Sequence, residues 1–178
     1  MDITIKSLAK ELISDYLDFF NNRAFTDNPP WKGCYCICWQ MTKEEEQIQL
    51  HDQVDAYGGG KENYMRALSE IVARQITSGA LRGYLAYVDG VSIGWCNAND
   101  KANFPIESAN GFRLYAPAEK REKAIICFEI APEYRGKDVA SALLNRAVAD
   151  AKAEGYVAVE SFPYAHRERD EWDFPPMC

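Results

Sequence analysis

One junction constrains this chain more than any other: Cys127-Phe128-Glu129-Ile130-Ala131-Pro132-Glu133-Tyr134-Arg135-Gly136-Lys137-Asp138-Val139-Ala140. The residues from Lys123 to Ile130 read as a buried strand. Pro132 turns the chain, Gly136 supplies a flexible loop, and Val139, Leu143, Ala147 and Ala151 recur every four residues in a helix over 138–154 that Gly155 closes. Tyr156 to Glu160 returns as another strand. A strand running into a glycine loop and a helix points the free first-turn amides at one place, with the positive end of the helix dipole behind them. An anion such as a pyrophosphate fits there. The outline alone is also that of any strand–loop–helix unit with a glycine.

The rest of the chain supplies partners for this unit. Ile3 to Lys6 alternates as a first strand, and Leu8, Leu12, Tyr16 and Phe19 or Phe20 follow at helical spacing until Asp27-Asn28-Pro29-Pro30 interrupts them. Cys34 to Trp39 reads as an accessory strand, with cysteines on one face and Tyr35, Ile37 and Trp39 on the other. Thr42-Lys43-Glu44-Glu45 has the form of a capping box opening a polar helix that ends before Gly58-Gly59-Gly60. Tyr64, Leu68, Ile71, Val72 and Ile76 define the next helix, stopped at Ser78-Gly79. Asp89-Gly90 between Gly83–Val88 and Val91–Asn97 predicts a two-residue hairpin turn. Residues 98–119, rich in Asn, Pro and Ala, predict a long surface connection.

Hydrophobic residues make up 47% of the 178, within the globular range, so a single folded domain over 1–178 is expected. Lys and Arg number 20 against 27 Asp and Glu, a net charge of −7 that argues against nucleic acid or an anionic membrane as partner and suits a cationic one. No stretch approaches the length of a membrane span, and MDITIKSLAKEL lacks the apolar core of a secretory signal, so the expected location is cytoplasmic. Six cysteines there read as reduced thiols.

The segment from Ile126 to Leu144 resembles the acetyl-CoA-binding segment of the GNAT superfamily of N-acetyltransferases, whose pattern is Gln or Arg, two residues, Gly, one residue, then Gly or Ala. The order of elements from about residue 2 to residue 161 also follows that family. The resemblance implies an α/β fold with a mixed, splayed sheet flanked by helices, carrying a helical and aromatic insertion before the central hairpin. It implies acetyl-CoA as cosubstrate, with the pantetheine arm pairing along Phe128 to Ile130 and the pyrophosphate held by amides of Arg135, Gly136, Lys137, Asp138, Val139, Ala140 and Ser141. The implied reaction is acetyl transfer to a primary amine of a small molecule or peptide by direct attack, the thioester carbonyl being polarised by an amide near Ile130. A homodimer is left open.

Two departures accompany the resemblance. Asp138 stands where the family has its central glycine: its carboxylate either opposes the phosphates or N-caps the helix. The family continues past the fifth strand into a helix with a tyrosine and a Gly-Phe pair, so the chain, reaching Cys178 without them, reads as truncated or diverged at that end.

Glu129 alternates with Phe128 and Ile130. It is the candidate base on the acceptor side, or else a strand-face carboxylate paired with a basic neighbour. Tyr164 is the candidate acid, and it and His166 either approach the thiol or lie on a surface tail. His51 reads as solvated. Cys34, Cys36 and Cys38 lack the spacing of a self-contained zinc site and read as buried thiols, so no metal is expected. Trp31, Tyr35, Trp39 and Tyr57 either wall an acceptor pocket or form the insertion's own core. A non-catalytic acyl-CoA-binding or interaction domain, and a cysteine-based metal or thiol module, are the alternative readings.

Overall fold

The computed structural model describes residues 1–109 and 120–162. Strand β1, Thr4–Ser7, leads through a 3₁₀ turn into helix α1, Ile13–Asn22, whose Tyr16, Phe19 and Phe20 are buried. After Pro29 and Pro30 the insertion contributes the short helices α2, Lys43–Glu46, and α3, Asp52–Ala56, joined by one π-helical stretch over Gln47–His51. The capping box at the head of α2 is formed as the sequence predicts, with the Thr42 hydroxyl accepting from the Glu45 amide at 3.2 Å and the Glu45 carboxylate accepting from the Thr42 amide at 2.8 Å. Helix α4, Lys61–Ser78, ends at Gly79, which takes the left-handed conformation with φ +78°.

Strands β2, Gly83–Val88, and β3, Val91–Asp100, meet at Asp89 and Gly90, both at positive φ as the two-residue turn requires. Strand β4, Glu122–Ile130, helix α5, Val139–Ala153, and strand β5, Ala158–Ser161, complete a sheet of order β1-β2-β3-β4-β5. Every pairing is antiparallel except β4 with β5, the two strands that flank α5, so the sheet is mixed. Side-chain alternation puts Leu85, Tyr87 and Trp95 against α1 and α4, and Tyr84, Ala86 and Cys96 against Val139, Leu143 and Ala147 of α5.

The sheet opens at β4. Asn97 pairs with Cys127 and Ala98 with Ile125, so Ile126 is an extra residue that bulges β4. The β5 pairing covers only Glu122 to Ile125. Beyond the bulge, among the described residues, no strand pairs with that edge of β4, which is the splay the resemblance implies.

Two sequence expectations fail here. Cys34 to Trp39 is not a strand: Cys36 takes φ +53°, Cys38–Gln40 is a 3₁₀ turn, and Cys34, Tyr35, Cys36, Ile37 and Cys38 are all buried. The segment plugs the crevice under α1, and packing on both sides overrides the local β preference. Side chains satisfy its backbone, Asn97 donating to the Cys36 carbonyl at 3.2 Å and Gln75 to the Ile37 carbonyl at 3.4 Å. The connection after Asn97 is also not merely surface. β3 runs on to Asp100, Lys101 is buried between Glu122 and Glu160 at 3.1 and 2.7 Å, and the Ala109 amide donates to the Met41 carbonyl at 2.7 Å. The remainder of that connection lies outside the described residues.

Candidate active site

On β4 the side chains alternate as the sequence predicts, Cys127 packing on the α1 side and Phe128 and Ile130 on the α5 side. Glu129 shares the side of Cys127 and is paired in register with Trp95. The Ala131 amide donates to the Ile93 carbonyl at 3.0 Å, and Ile130 lies opposite Gly94. Because hydrogen-bonded and non-bonded pairs alternate in an antiparallel ladder, the amides and carbonyls of Phe128 and Ile130 turn away from β3, toward the open edge. An extended ligand laid along that edge meets backbone groups at the right repeat that no strand pairs, the Ile130 carbonyl being reached instead by the Arg135 side chain.

The loop after β4 makes one 3₁₀ turn, Pro132–Tyr134, and reaches α5 through Gly136 at φ +71° and Asp138 at φ +62°. The Asp138 carbonyl accepts from the Ala142 amide at 2.9 Å, closing the first turn and leaving the amides of Val139 to Ser141 without an intrahelical acceptor. A Cβ at Gly136 would meet nothing within 4 Å, so the loop borders open space. Free amides, a helix dipole and room beside them suit a diphosphate. The capping reading of Asp138 is corrected: it occupies the N-cap position, yet its side chain makes no capping hydrogen bond. Its left-handed backbone is what glycine would supply at this position, and Asp tolerates it better than most residues.

The helix also needs Gly94 on β3, which sequence reasoning missed. A Cβ there would lie 2.9 Å from Ile130 Cδ1 and 3.0 Å from Val139 Cγ1, so the missing side chain lets the first turn of α5 sit against the sheet. A glycine inside a strand is itself a sign of such close approach.

Beside the open edge lies a cleft of about 680 Å³ lined by Phe25, Asp27, Asn28, Trp31, Phe128, Glu129, Ile130 and Arg135. The Glu129 side chain is only 17% exposed, and burial pushes its carboxyl up to about 7, against the opposing charge and hydrogen bond of Arg135 and the Ile130 amide. Arg135 Nη2 donates to Glu129 Oε1 at 3.3 Å and Nη1 to Asp27 Oδ2 at 2.5 Å. Glu129 is thus a strand-face carboxylate with a basic neighbour, the second of its two sequence readings, and its raised value leaves the base reading to be tested. Asp27 and Phe25 were not singled out by the sequence. The signal available for them was the Pro-Pro pair that swings the insertion back over β4.

The other candidates separate. Of the four insertion aromatics only Trp31 lines the cleft. Tyr35 is buried in the core with its hydroxyl donating to Asn21 Oδ1 at 2.5 Å, Tyr57 donates to Glu70 at 2.6 Å, and Trp39 packs near Phe104. Cys36 and Cys127 bring their sulfurs to 3.3 Å beneath β4, and the hydrogen bonds of Cys127 and Cys34, followed by burial, raise the Cys36 thiol well above its ordinary value. Among the described residues no three His, Cys, Asp or Glu side chains are arranged to hold a metal. His51 is exposed. Tyr164 and His166 lie outside the described residues. No helix among the described residues is long and apolar enough to cross a membrane.

A mixed sheet opened at its fourth strand, with a helix N-terminus at the opening, is the architecture of an α/β acyltransferase. The model of the acetyltransferase (GNAT) family matches residues 6–169, and the chain belongs to that family of N-acetyltransferases. No curated protein matches the chain. Among solved structures, an aminoglycoside acetyltransferase, HMB0005, from an uncultured soil metagenomic sample aligns with a TM-score of 0.53 at 12% identity, covering 94% of this chain and 83% of that one. A ribosomal-protein-alanine N-acetyltransferase from Brucella melitensis biovar Abortus 2308 aligns at 0.50 and 13%, covering 90% and 80%. The aminoglycoside acetyltransferase AAC(6')-Iy, in complex with the bisubstrate analog CoA-S-monomethyl-acetylneamine, aligns at 0.50 and 12%, covering 94% and 83%. At these identities the likeness is one of fold.

Proposed function

We propose that the junction from Phe128 to Ser141 binds acetyl-CoA and that Glu129 is the base which frees a small primary amine for direct attack on the thioester. The observation that carries this reading is the place of Glu129: a partly buried carboxyl, paired with Arg135, in a cleft that borders the open edge of β4; its burial pushes it up to about 7. The backbone of Phe128 and Ile130 would pair with the pantetheine arm, and the amides from Gly136 to Ser141 would take the diphosphate. When bound, acetyl-CoA supplies an activated acyl group. An amine arrives protonated at neutral pH and cannot attack until the proton leaves. Glu129 accepts that proton; the new C–N bond forms as the C–S bond breaks, and the thiolate takes a proton. Tyr164, the acid candidate, lies outside the described residues, and solvent is the other source.

The cleft suits a small amine acceptor, with Arg135 lying between its two acidic groups. Its walls include the aromatic Phe25, Trp31 and Phe128, and its acidic groups are Asp27 and Glu129. The same domain, 1–178, is read as carrying both substrates. The test is acetyl transfer from acetyl-CoA to a panel of small mono- and polyamines, followed by thiol release. Turnover with at least one amine is expected, and binding of acetyl-CoA without turnover on any of them would reduce the protein to an acyl-CoA-binding module.

A further inference from the structure

Arg135 makes more contacts than its place in the loop requires. Its Nε donates to the Ile130 carbonyl at 3.0 Å, while the two Nη atoms reach Asp27 at 2.5 Å and Glu129 at 3.3 Å. One guanidinium thus spans the insertion, the end of β4 and the candidate base. The Ile130 carbonyl is among the groups that β4 turns to its open edge, where an extended ligand would pair as a strand does. An arginine on that oxygen and a ligand along that edge compete for one place. The side chain is 45% exposed, so it can swing to solvent by exchanging these polar contacts for water without disturbing the core.

We infer that Arg135 is a latch across the open edge of β4: seating of coenzyme A displaces its side chain from the Ile130 carbonyl and releases the Glu129 carboxylate, so that this residue becomes the stronger base only when the cosubstrate is in place. The inference rests on the cosubstrate reading above. In it Arg135 is a positioning residue that acts through Glu129.

The physical basis is the set of groups that face Glu129. Arg135 comes from the loop before α5, Asp27 and Cys34 from the insertion, and the Ile130 amide from β4 itself. β3 presents the apolar Trp95, and α1 turns Asp15 and Asp18 to Tyr87 and Arg23. Arg135 is the one cation in this set, and its charge and hydrogen bond oppose burial. Removing a cation from beside a buried carboxylate favours the neutral form. Glu129 then takes one proton from solvent in part of the molecules and no other bond changes; the molecules in which it stays ionised carry the stronger base that accepts the amine's proton.

The experiment is calorimetric titration of the protein with coenzyme A at pH 7 in two buffers of different ionisation enthalpy, which counts protons taken up on binding. For a rise of one unit from a value near 7, uptake of roughly 0.4 proton per site is expected in the parent. In Glu129→Gln, which keeps the shape, that uptake disappears while binding persists. In Arg135→Gln, where the latch is already open, uptake falls below half of the parent's. Equal uptake in the parent and Glu129→Gln, or no uptake in a parent that binds, overturns the latch and leaves the cosubstrate reading standing. No binding heat up to millimolar coenzyme A overturns both. Should Arg135→Gln fail to fold, Arg135→Met, which keeps the chain without the charge, takes its place, with uptake again expected below half of the parent's.

Discussion

Glu129 experiences burial and Arg135 in opposite directions, and burial wins. If the residue is the base, Glu129→Gln lowers turnover by ~10²-fold or more, leaves acetyl-CoA affinity nearly unchanged and removes the lower limb of the pH–rate profile. Turnover within a few-fold of the parent on a verified acceptor would make Glu129 a structural residue. The same shift has a consequence for stability. Between its ordinary value of 4.5 and about 7 the folded state holds the proton more tightly than the unfolded state, so stability is lost as pH rises through that window. Melting curves at pH 5 and pH 8 should differ less in Glu129→Gln than in the parent. Asp138 gives a second residue-scale test, because its φ of +62° is unaided by a capping bond. Asp138→Gly should leave stability unchanged or slightly raised, whereas Asp138→Ala should cost about 1 kcal/mol in denaturant unfolding. Equal losses in both would mean that the carboxylate holds something. Tighter coenzyme A binding in Asp138→Gly is expected if the carboxylate opposes the phosphates.

Helix α5 depends on a residue of another strand for its position. Gly94→Val would press a branched side chain into Ile130 and Val139, costing about 1–3 kcal/mol as overpacking does, and would lift the first turn of α5 from the sheet. Coenzyme A affinity should fall in parallel, measured by calorimetry on protein shown to be folded. Unchanged affinity would separate the helix N-terminus from the binding site. Elements whose boundaries are set by local chemistry were legible in the sequence: the Asp89-Gly90 turn, the Thr42 capping box and the Gly79 stop are each formed by residues within a few positions. The Cys34–Trp39 segment was not legible, because its alternation suits a half-exposed strand, and only the crevice beneath α1 buries both of its faces.

The whole molecule joins an acidic chain to a cleft lined by Asp27, Glu129 and the rings of Phe25, Trp31 and Phe128, so cationic acceptors are expected to bind more weakly as salt rises, through KM rather than kcat. Coenzyme A at ~100 times its dissociation constant should stabilise the fold by about 2.7 kcal/mol, a rise in Tm of roughly 5–10 °C. No shift at millimolar coenzyme A would count against the junction as its site. Sequence alone determined the order of the five sheet strands and of the helices beside them apart from the Cys34–Trp39 segment, the hairpin, the glycine loop at the head of α5, the face on which Glu129 stands and, through the Arg135 to Ala140 pattern, the family resemblance. All of these depend on period and short-range chemistry. Tertiary structure decided where β4 leaves its neighbour, since the bulge at Ile126 is a matter of register between strands. It decided that Asp27 and Arg135 meet at Glu129 across 108 residues of chain, and that this carboxyl is buried enough to hold a proton near neutrality. Burial and long-range pairing belong to no local window, so no local pattern encodes them.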